Sequence, residues 1–309
     1  MATKTIKKIK KSATTDNRYI FTNYELKNKN SKLIYIIWGI ITYFGAILVT
    51  IPFIWMVIMA MLPSSRVFLP PDEIIKNFKF NFEYFKQAWD IAPFTRYFFN
   101  SLFVSFAVVI GQILISAAAA YSISKLKPTG FQIILFLFLA TIMIPFETIT
   151  IPLYLFMRDF EVIPGIKFNL LNTYWALIFP GIANAFNIFI LKSFFDKLPD
   201  DFIEAARVDG YSETRIFFKI IIPISKPIIV VLSILNFVNI WNSFFWPLIV
   251  VNEQQIYTLM LGIYKIIAEG QPWNIVMASV TFSMVPTILL FILFQKYIMR
   301  GVVFTTLQE

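Results

Sequence analysis

Cysteine and histidine are both missing from this chain of 309 residues. Without thiols there is no disulfide, and without thiol or imidazole the common transition-metal sites are excluded. A nucleophilic cysteine or a Ser–His pair is excluded with them. Paired carboxylates within an apolar run are missing too, which argues against an enzyme embedded in a membrane. No GxxxxGK[ST] phosphate loop occurs, so ATP is not bound here by that route. Charge is scarce: 15% of residues are charged, where an ordinary globular domain carries about a quarter. What fills the space is apolar, 58% of residues, with a mean hydropathy of +0.71. That composition belongs to a protein that crosses a membrane several times.

A helix needs about 20 apolar residues to cross the hydrocarbon layer. Six runs qualify: 33–62, 102–123, 131–157, 173–191, 228–251 and 275–294. The first is longer than a span requires, so a tilt or a kink at Pro52 is expected. Pro145, Pro152, Pro180, Pro247 and Pro286 lie within the others. In a membrane such prolines are tolerated where neighbouring helices satisfy the freed carbonyls.

The net charge of +9 invites a nucleic-acid reading, but the basic residues are sorted by segment. With the Lys-rich arm 1–32 placed in the cytoplasm, 19 of the 27 Lys and Arg residues fall on that side, as the positive-inside rule requires. The expectation is an all-α polytopic membrane protein of two parts: a basic cytoplasmic arm, 1–32, and a six-span domain, 33–309. Both termini are expected in the cytoplasm of a cell lying inside its plasma membrane, and the surrounding partner is the lipid bilayer rather than nucleic acid. On the outer side, Phe82, Phe85 and Trp89 recur at helical spacing. They mark a short amphipathic helix, either a lid on the bundle or a contact for an external partner.

Between the fourth and fifth runs lies "LPDDFIEAARVDGYSETRIFFKIIIP", a polar stretch in an oily chain. Pro199 suits the first position of a helix, with Asp200 and Asp201 in its first turn. Phe202, Ala205, Ala206 and Asp209 share one face, and the two alanines let another surface approach the backbone. Gly210 stands where a helix end needs positive φ. A second helix begins near Ser212, a natural N-cap, and Pro223 and Pro227 mark the return to the membrane. Two short helices at an angle either simply join two spans or form a docking element for a cytoplasmic partner.

The spacing of Glu204, Ala205, Ala206, Gly210, Ile220 and Pro223 resembles the EAA loop of the permease subunits of binding-protein-dependent ABC importers; Ile222 stands where that pattern prefers Leu. The chain after the arm is similar to the maltose-type, carbohydrate-importing permeases in "RYFFNSLFVS", "AAAAYSISK", "IPFETITIPLYL", "WNSFFWPLIV" and "RGVVF". The resemblance implies a non-catalytic subunit that forms half of a translocation pathway for a carbohydrate. It implies as partners a second permease, two cytoplasmic ATPase subunits and an extracytoplasmic solute-binding protein. ATP–Mg would sit on the ATPase, with no cofactor on this chain. Glu204, Ala205, Ala206, Arg207, Asp209 and Gly210 would couple the permease to the ATPase, with Arg207 and Asp209 expected to form ion pairs at the rim of that contact. The same machinery serves glycerol-3-phosphate or another polyol derivative as an alternative cargo. An anionic cargo favours basic residues along the path, and none lies inside a predicted span. A secondary transporter or channel is the reading of another class. It calls for coupling-ion sites or inverted repeats, and neither is evident.

Polar groups at membrane depth are the candidates for the pathway. They are Glu147, the one carboxylate within a predicted span, Asn184 and Asn187 in the fourth run, and Asn236, Asn239, Trp241 and Asn242 in the fifth. Each asparagine serves equally as hydrogen-bonding glue between helices. Glu147, between Pro145 and Pro152, equally reaches interfacial water. The alanine run 117–120 reads as a tight helix contact.

Overall fold

The structure, a computed structural model, describes residues 29–76, 80–163 and 165–306. The basic arm lies outside them except for its last four residues, which already begin a helix. By packing, the chain divides between Ile58 and Met59. The first unit is described through α1 (Lys29–Ala60), whose side chains from Leu33 to Ile54 are nearly all exposed. Pro52 lies inside α1 and leaves it unbroken, so the expected kink is not a break in the helix.

The second unit is almost wholly helical. Two short helices, α2 (Pro71–Lys76) and α3 (Glu83–Asp90), precede the long α4 (Phe94–Tyr121), which runs on through a π-turn, Ser122–Leu126. Then come α5 (Phe131–Ile142), α6 (Phe146–Arg158), a two-stranded antiparallel hairpin of β1 (Phe160–Ile163) and β2 (Ile166–Phe168), α7 (Tyr174–Ile178) and α8 (Ala185–Asp196). The remainder is α9 (Asp201–Val208), α10 (Glu213–Ile216), α11 (Ile222–Ile224), α12 (Lys226–Trp241), α13 (Phe245–Val250), α14 (Leu259–Ala268) and α15 (Trp273–Thr306).

Among the described residues, three helical stretches, Lys32–Ala60, Phe94–Leu126 and Trp273–Tyr297, are long and apolar enough to cross a membrane unaided, and three bent pairs bring the number to as many as six. The bends refine the expected runs. The third run is two helices, α5 and α6, meeting at 104°. The break falls at Pro145, which precedes α6 and disfavours helix in the residue before it; Pro152 sits inside α6 without breaking it. The fourth run bends by 41° between the turn Phe179–Gly181 and α8. The fifth stops at Trp241 and resumes as α13. The hairpin and α14 went unpredicted: the first is too short to show a period, and the second is a ten-residue helix, half a span.

Lipid tails are as apolar as leucine, so helices here are held by close packing and polar contacts rather than by transfer from water. One core gathers Phe94, Tyr97 and Ile113 of α4, Leu191 and Phe195 of α8, Phe237 and Trp241 of α12, Leu259 of α14 and Val276 of α15. A second joins Val104 and Val108 to Ala176, Trp246, Val250 and Leu261. Ala88 of α3 is fully buried, and Phe85 and Trp89 meet the Phe282 ring at 5.7 and 5.0 Å. Helix α3 is therefore seated on α15, with Phe82 left exposed before its first turn.

Small residues set the closest approaches. Gln112 Nε2 donates to the Gly181 carbonyl at 2.5 Å, where a Cβ on Gly181 would meet Val108 Cγ1 at 2.7 Å. A Cβ on Gly262 would come within 2.6 Å of Tyr97 Cε2. That ring is walled in by Phe94 and Tyr257, at 6.1 and 5.8 Å, and has no room to swing away. Gly262→Ala is expected to cost about 1–3 kcal/mol by overpacking, read as a lowered thermal midpoint of the purified protein in detergent.

Candidate functional site

The loop between α8 and α12 is built as two helices with a tight corner. The peptide N–H groups of Ile203 and Glu204 both donate to the Asp200 carbonyl at 2.9 Å, so α9 starts at Asp201 and Pro199 lies before it rather than at its first position. At the other end Tyr211 N donates to Ala206 O and Gly210 N to Arg207 O, both at 3.0 Å. This is the Schellman closure, with Gly210 at φ +80° as expected. Ser212 caps α10, accepting from Arg215 N at 3.4 Å. The stretch Glu213–Ile224 then meets α12 at 79°. Pro227 has no N–H to return to the Pro223 carbonyl, and the ladder parts there.

The two sides of this corner differ. On the underside, Ile203 and Ala206 of α9 and Ile216, Phe217 and Ile221 beyond it are buried with Ala117, Ala120 and Tyr121 of α4 and Leu191 and Phe195 of α8. The alanine run is thus a packing surface. On the open side lies a groove of about 490 Å³. Phe202, Ala205, Ala206 and Asp209 line one flank, and Tyr211, Arg215, Lys219 and Ile220 the other. The face inferred from helical spacing is one wall of that groove. The Arg215 guanidinium lies 4.1 Å over the Tyr211 ring, a cation–π contact that stiffens the second wall. At the corner Val208 is 89% exposed and Phe202 58%. An apolar prominence thus stands beside the groove.

Charges hold the corner together. Arg207 Nε meets Glu213 Oε1 at 2.7 Å. The turn at Gly210 folds α10 back within reach of Arg207, and both side chains of the pair stay partly exposed at the surface of the corner. Lys125, 5% exposed, reaches Asp200 at 2.5 Å, and Asp200 is 61% exposed. Lys125 beside Asp200 holds its carboxyl below the usual carboxylate range. A depressed folded pKa means the link is complete above the ordinary value, roughly pH 4, and is lost as pH falls through the lower one. Proteolysis of the loop is expected to accelerate only in that acid range, and in Lys125→Met to lose that dependence on pH. Lys125 and Glu213 were not singled out from the sequence as parts of the site; each is an ordinary charge until folding supplies its partner.

The pathway candidates are scattered by the fold. Glu147 is exposed in the first turn of α6, just past the break. Asn184 caps α8, its Oδ1 accepting from Asn187 N at 3.0 Å. Asn187 is fully buried on α8, and neither polar atom of its amide has a partner among the described residues. Asn236 is buried, whereas Asn239 on the same helix and Asn242 just past its end are exposed. Trp241 is 1% exposed. It lies between the rings of Phe98 and Phe237, at 5.5 and 5.7 Å, and its Nε1 donates to Ser283 O at 2.8 Å. Its place is in the core between α4, α12 and α15.

Apolar helices long enough to span, with bent pairs between them, define the class: an all-α, multi-pass membrane protein, here with a two-helix corner that carries an open groove. The description "Binding-protein-dependent transport system inner membrane component" matches residues 112–303, more than half of the chain. The chain belongs to that family, the permease subunits of ABC importers. It is 30% identical over 285 residues to the arabinooligosaccharides transport system permease protein AraQ of Halalkalibacterium halodurans, covering 89% of this chain and 97% of that one. It is also 30% identical over 268 residues to the sn-glycerol-3-phosphate transport system permease protein UgpE of Yersinia pestis, covering 84% and 92%. Among solved structures, a bacterial ABC transporter involved in the import of the acidic polysaccharide alginate has the same fold, with TM-score 0.72 at 22% identity over 87% of this chain and 98% of that one.

Proposed function

We propose that the chain is one permease subunit of an ABC importer, forming half of a translocation pathway for a carbohydrate. The corner α9–α10 faces the cytoplasm and receives an ATPase subunit. The observation that carries this reading is the groove flanked by Ala205, Ala206 and Arg215, on a loop whose other side is sealed into the bundle. A push on a body seated that firmly reaches the helices beneath it, whereas a flexible connection would absorb it. Asp209 lines the groove, Gly210 ends α9, Glu204 is exposed on α9 beside the groove, and no chemistry is assigned to this chain. A second permease, two ATPases with ATP–Mg, and an extracytoplasmic binding protein complete the machine. The membrane is the plasma membrane, with both termini in the cytoplasm.

Asn239 and Asn242, exposed on the chain by itself, face the pathway in this reading, as does Glu147 at its break. Asn187 is a buried polar group that a moving helix would uncover. Replacing such a group by an apolar one of similar shape is close to neutral or stabilising, so Asn187→Leu is expected to retain the thermal midpoint. If the helix motion brings the amide to the path, uptake falls in the same variant. A second cargo, sn-glycerol-3-phosphate, is favoured by the likeness to UgpE.

The test is reconstitution of the chain with a second permease, an ATPase and a solute-binding protein from the same genome. ATP-dependent uptake of a labelled arabino-oligosaccharide is the expected result, and uptake of labelled sn-glycerol-3-phosphate instead selects the second cargo. Uptake that persists with no ATPase present overturns the importer reading.

A further inference from the structure

We infer that Tyr121 and Lys125, at the end of α4, are positioning residues that tether the corner to α4, so that movement of α9 drags that helix in both directions. The inference rests on the docking reading above and adds a route that the chain connectivity does not supply. The loop is joined covalently to α8 and α12 only. Its links to α4 are made by side chains far away in sequence. Tyr121 Oη donates to Glu213 Oε2 at 2.6 Å, while the other oxygen of that carboxylate accepts from Arg207 on α9 at 2.7 Å. One carboxylate thus binds both helices of the corner to α4. One turn further on, Lys125 Nζ donates to Leu198 O at 2.7 Å and to Asp200 Oδ1 at 2.5 Å, gripping the start of α9. Ser124 Oγ donates to Asp196 Oδ1 at 2.6 Å, at the end of α8.

The apolar underside already carries compression, since Ala117, Ala120 and Tyr121 share one core with Ala206 and Ile216, and the Tyr121 ring meets that of Phe217 at 5.6 Å. Apolar contact is non-directional and opposes sliding weakly. Hydrogen bonds of fixed geometry oppose shear and withdrawal. An importer's corner must be pushed on ATP-driven closure and drawn back on release, and the polar links serve the return. The Tyr121 and Lys125 side chains are buried and so held in one setting at the end of α4, while Asp200 at the start of α9 is mostly exposed. Both helices that the links join carry a π-turn beside them, Ser122–Leu126 and Phe217–Ile221, a widened turn found mostly at functional sites.

The chain has no cysteine, so spin labels at Asp201→Cys, exposed on α9 outside the groove, and at Leu126→Cys need no background removal on this subunit. In the reconstituted complex the label-to-label distance is expected to stay narrow and equal with and without ATP, because the two ends move together. Tyr121→Phe combined with Lys125→Met removes a hydroxyl and an ammonium while keeping ring and stem. This variant is expected to broaden the distance and to lower uptake about five- to tenfold, with ATP hydrolysis changed by less than about twofold. The uptake probe is whichever of labelled arabino-oligosaccharide or labelled sn-glycerol-3-phosphate the parent accepts. Lys125→Arg, which keeps a cation of similar reach, is expected to behave as the parent. An unchanged distance with unchanged uptake overturns the tether. A proportionate fall in hydrolysis and uptake together, with a lowered thermal midpoint, also overturns it and leaves a structural contact only. Failure of the docking reading shows separately, as an ATPase that stays attached when Ala205 is replaced by tryptophan.

Discussion

Ala205→Trp is expected to strip the ATPase from the permease while leaving the thermal midpoint of the purified chain where it was. Ala205 is exposed on the wall of the groove, and its neighbour Ala206 carries the inward packing of the same turn. A large ring at position 205 therefore has solvent to enter and no core to disturb. It fills the space that an incoming surface requires. Loss of a contact at the centre of an interface costs about 2 kcal/mol or more, roughly 30-fold in Kd. Co-purification of the ATPase on the tagged permease measures it. Retention at the parent level would show that the groove is not the docking surface. Gly210→Val acts differently. A Cβ there meets open space, but φ is +80°, and a left-handed conformation costs an L residue about 1–2 kcal/mol. That variant loosens the corner, so weaker attachment comes with faster loop proteolysis.

The second large effect is expected from Trp241→Ala, a loss of about 3–5 kcal/mol. The indole is enclosed by Phe98 and Phe237, and its N–H satisfies the Ser283 carbonyl on α15. Truncation leaves a cavity among three helices and removes the hydrogen bond to α15. Trp241→Phe keeps the stacking and loses only the hydrogen bond, so its cost is nearer 1 kcal/mol. Thermal unfolding in detergent distinguishes this from a pathway role, in which uptake would fall with the midpoint unmoved.

The tryptophan also shows where a linear reading stops. Trp241 and Asn242 are adjacent, and both were placed on the path for being polar or aromatic at depth. On the folded helix one turns into the core and the other is exposed. The three asparagines divide in the same way, with Asn236 of α12 buried and Asn239 of α12 and Asn242 just past its end exposed. An all-round apolar helix carries no stripe that says which side meets its neighbours. In soluble helices that stripe is the main clue. Here lipid and protein are equally apolar environments, and the clue is erased.

The corner is the opposite case. Its helices, the glycine at the turn, the Ser212 cap and the Phe202–Ala205–Ala206–Asp209 face are all encoded within twenty residues, by spacing and by local hydrogen bonding. The sequence by itself therefore determined the polytopic helical class, the approximate spans, the family likeness and the form of the loop. Only the tertiary structure decided that Arg207 pairs with Glu213, that the third run bends by 104°, and that Tyr121 and Lys125 reach across to a loop more than seventy residues away in sequence. Turns and caps depend on neighbours along the chain, whereas these contacts depend on which helices the packed bundle sets side by side.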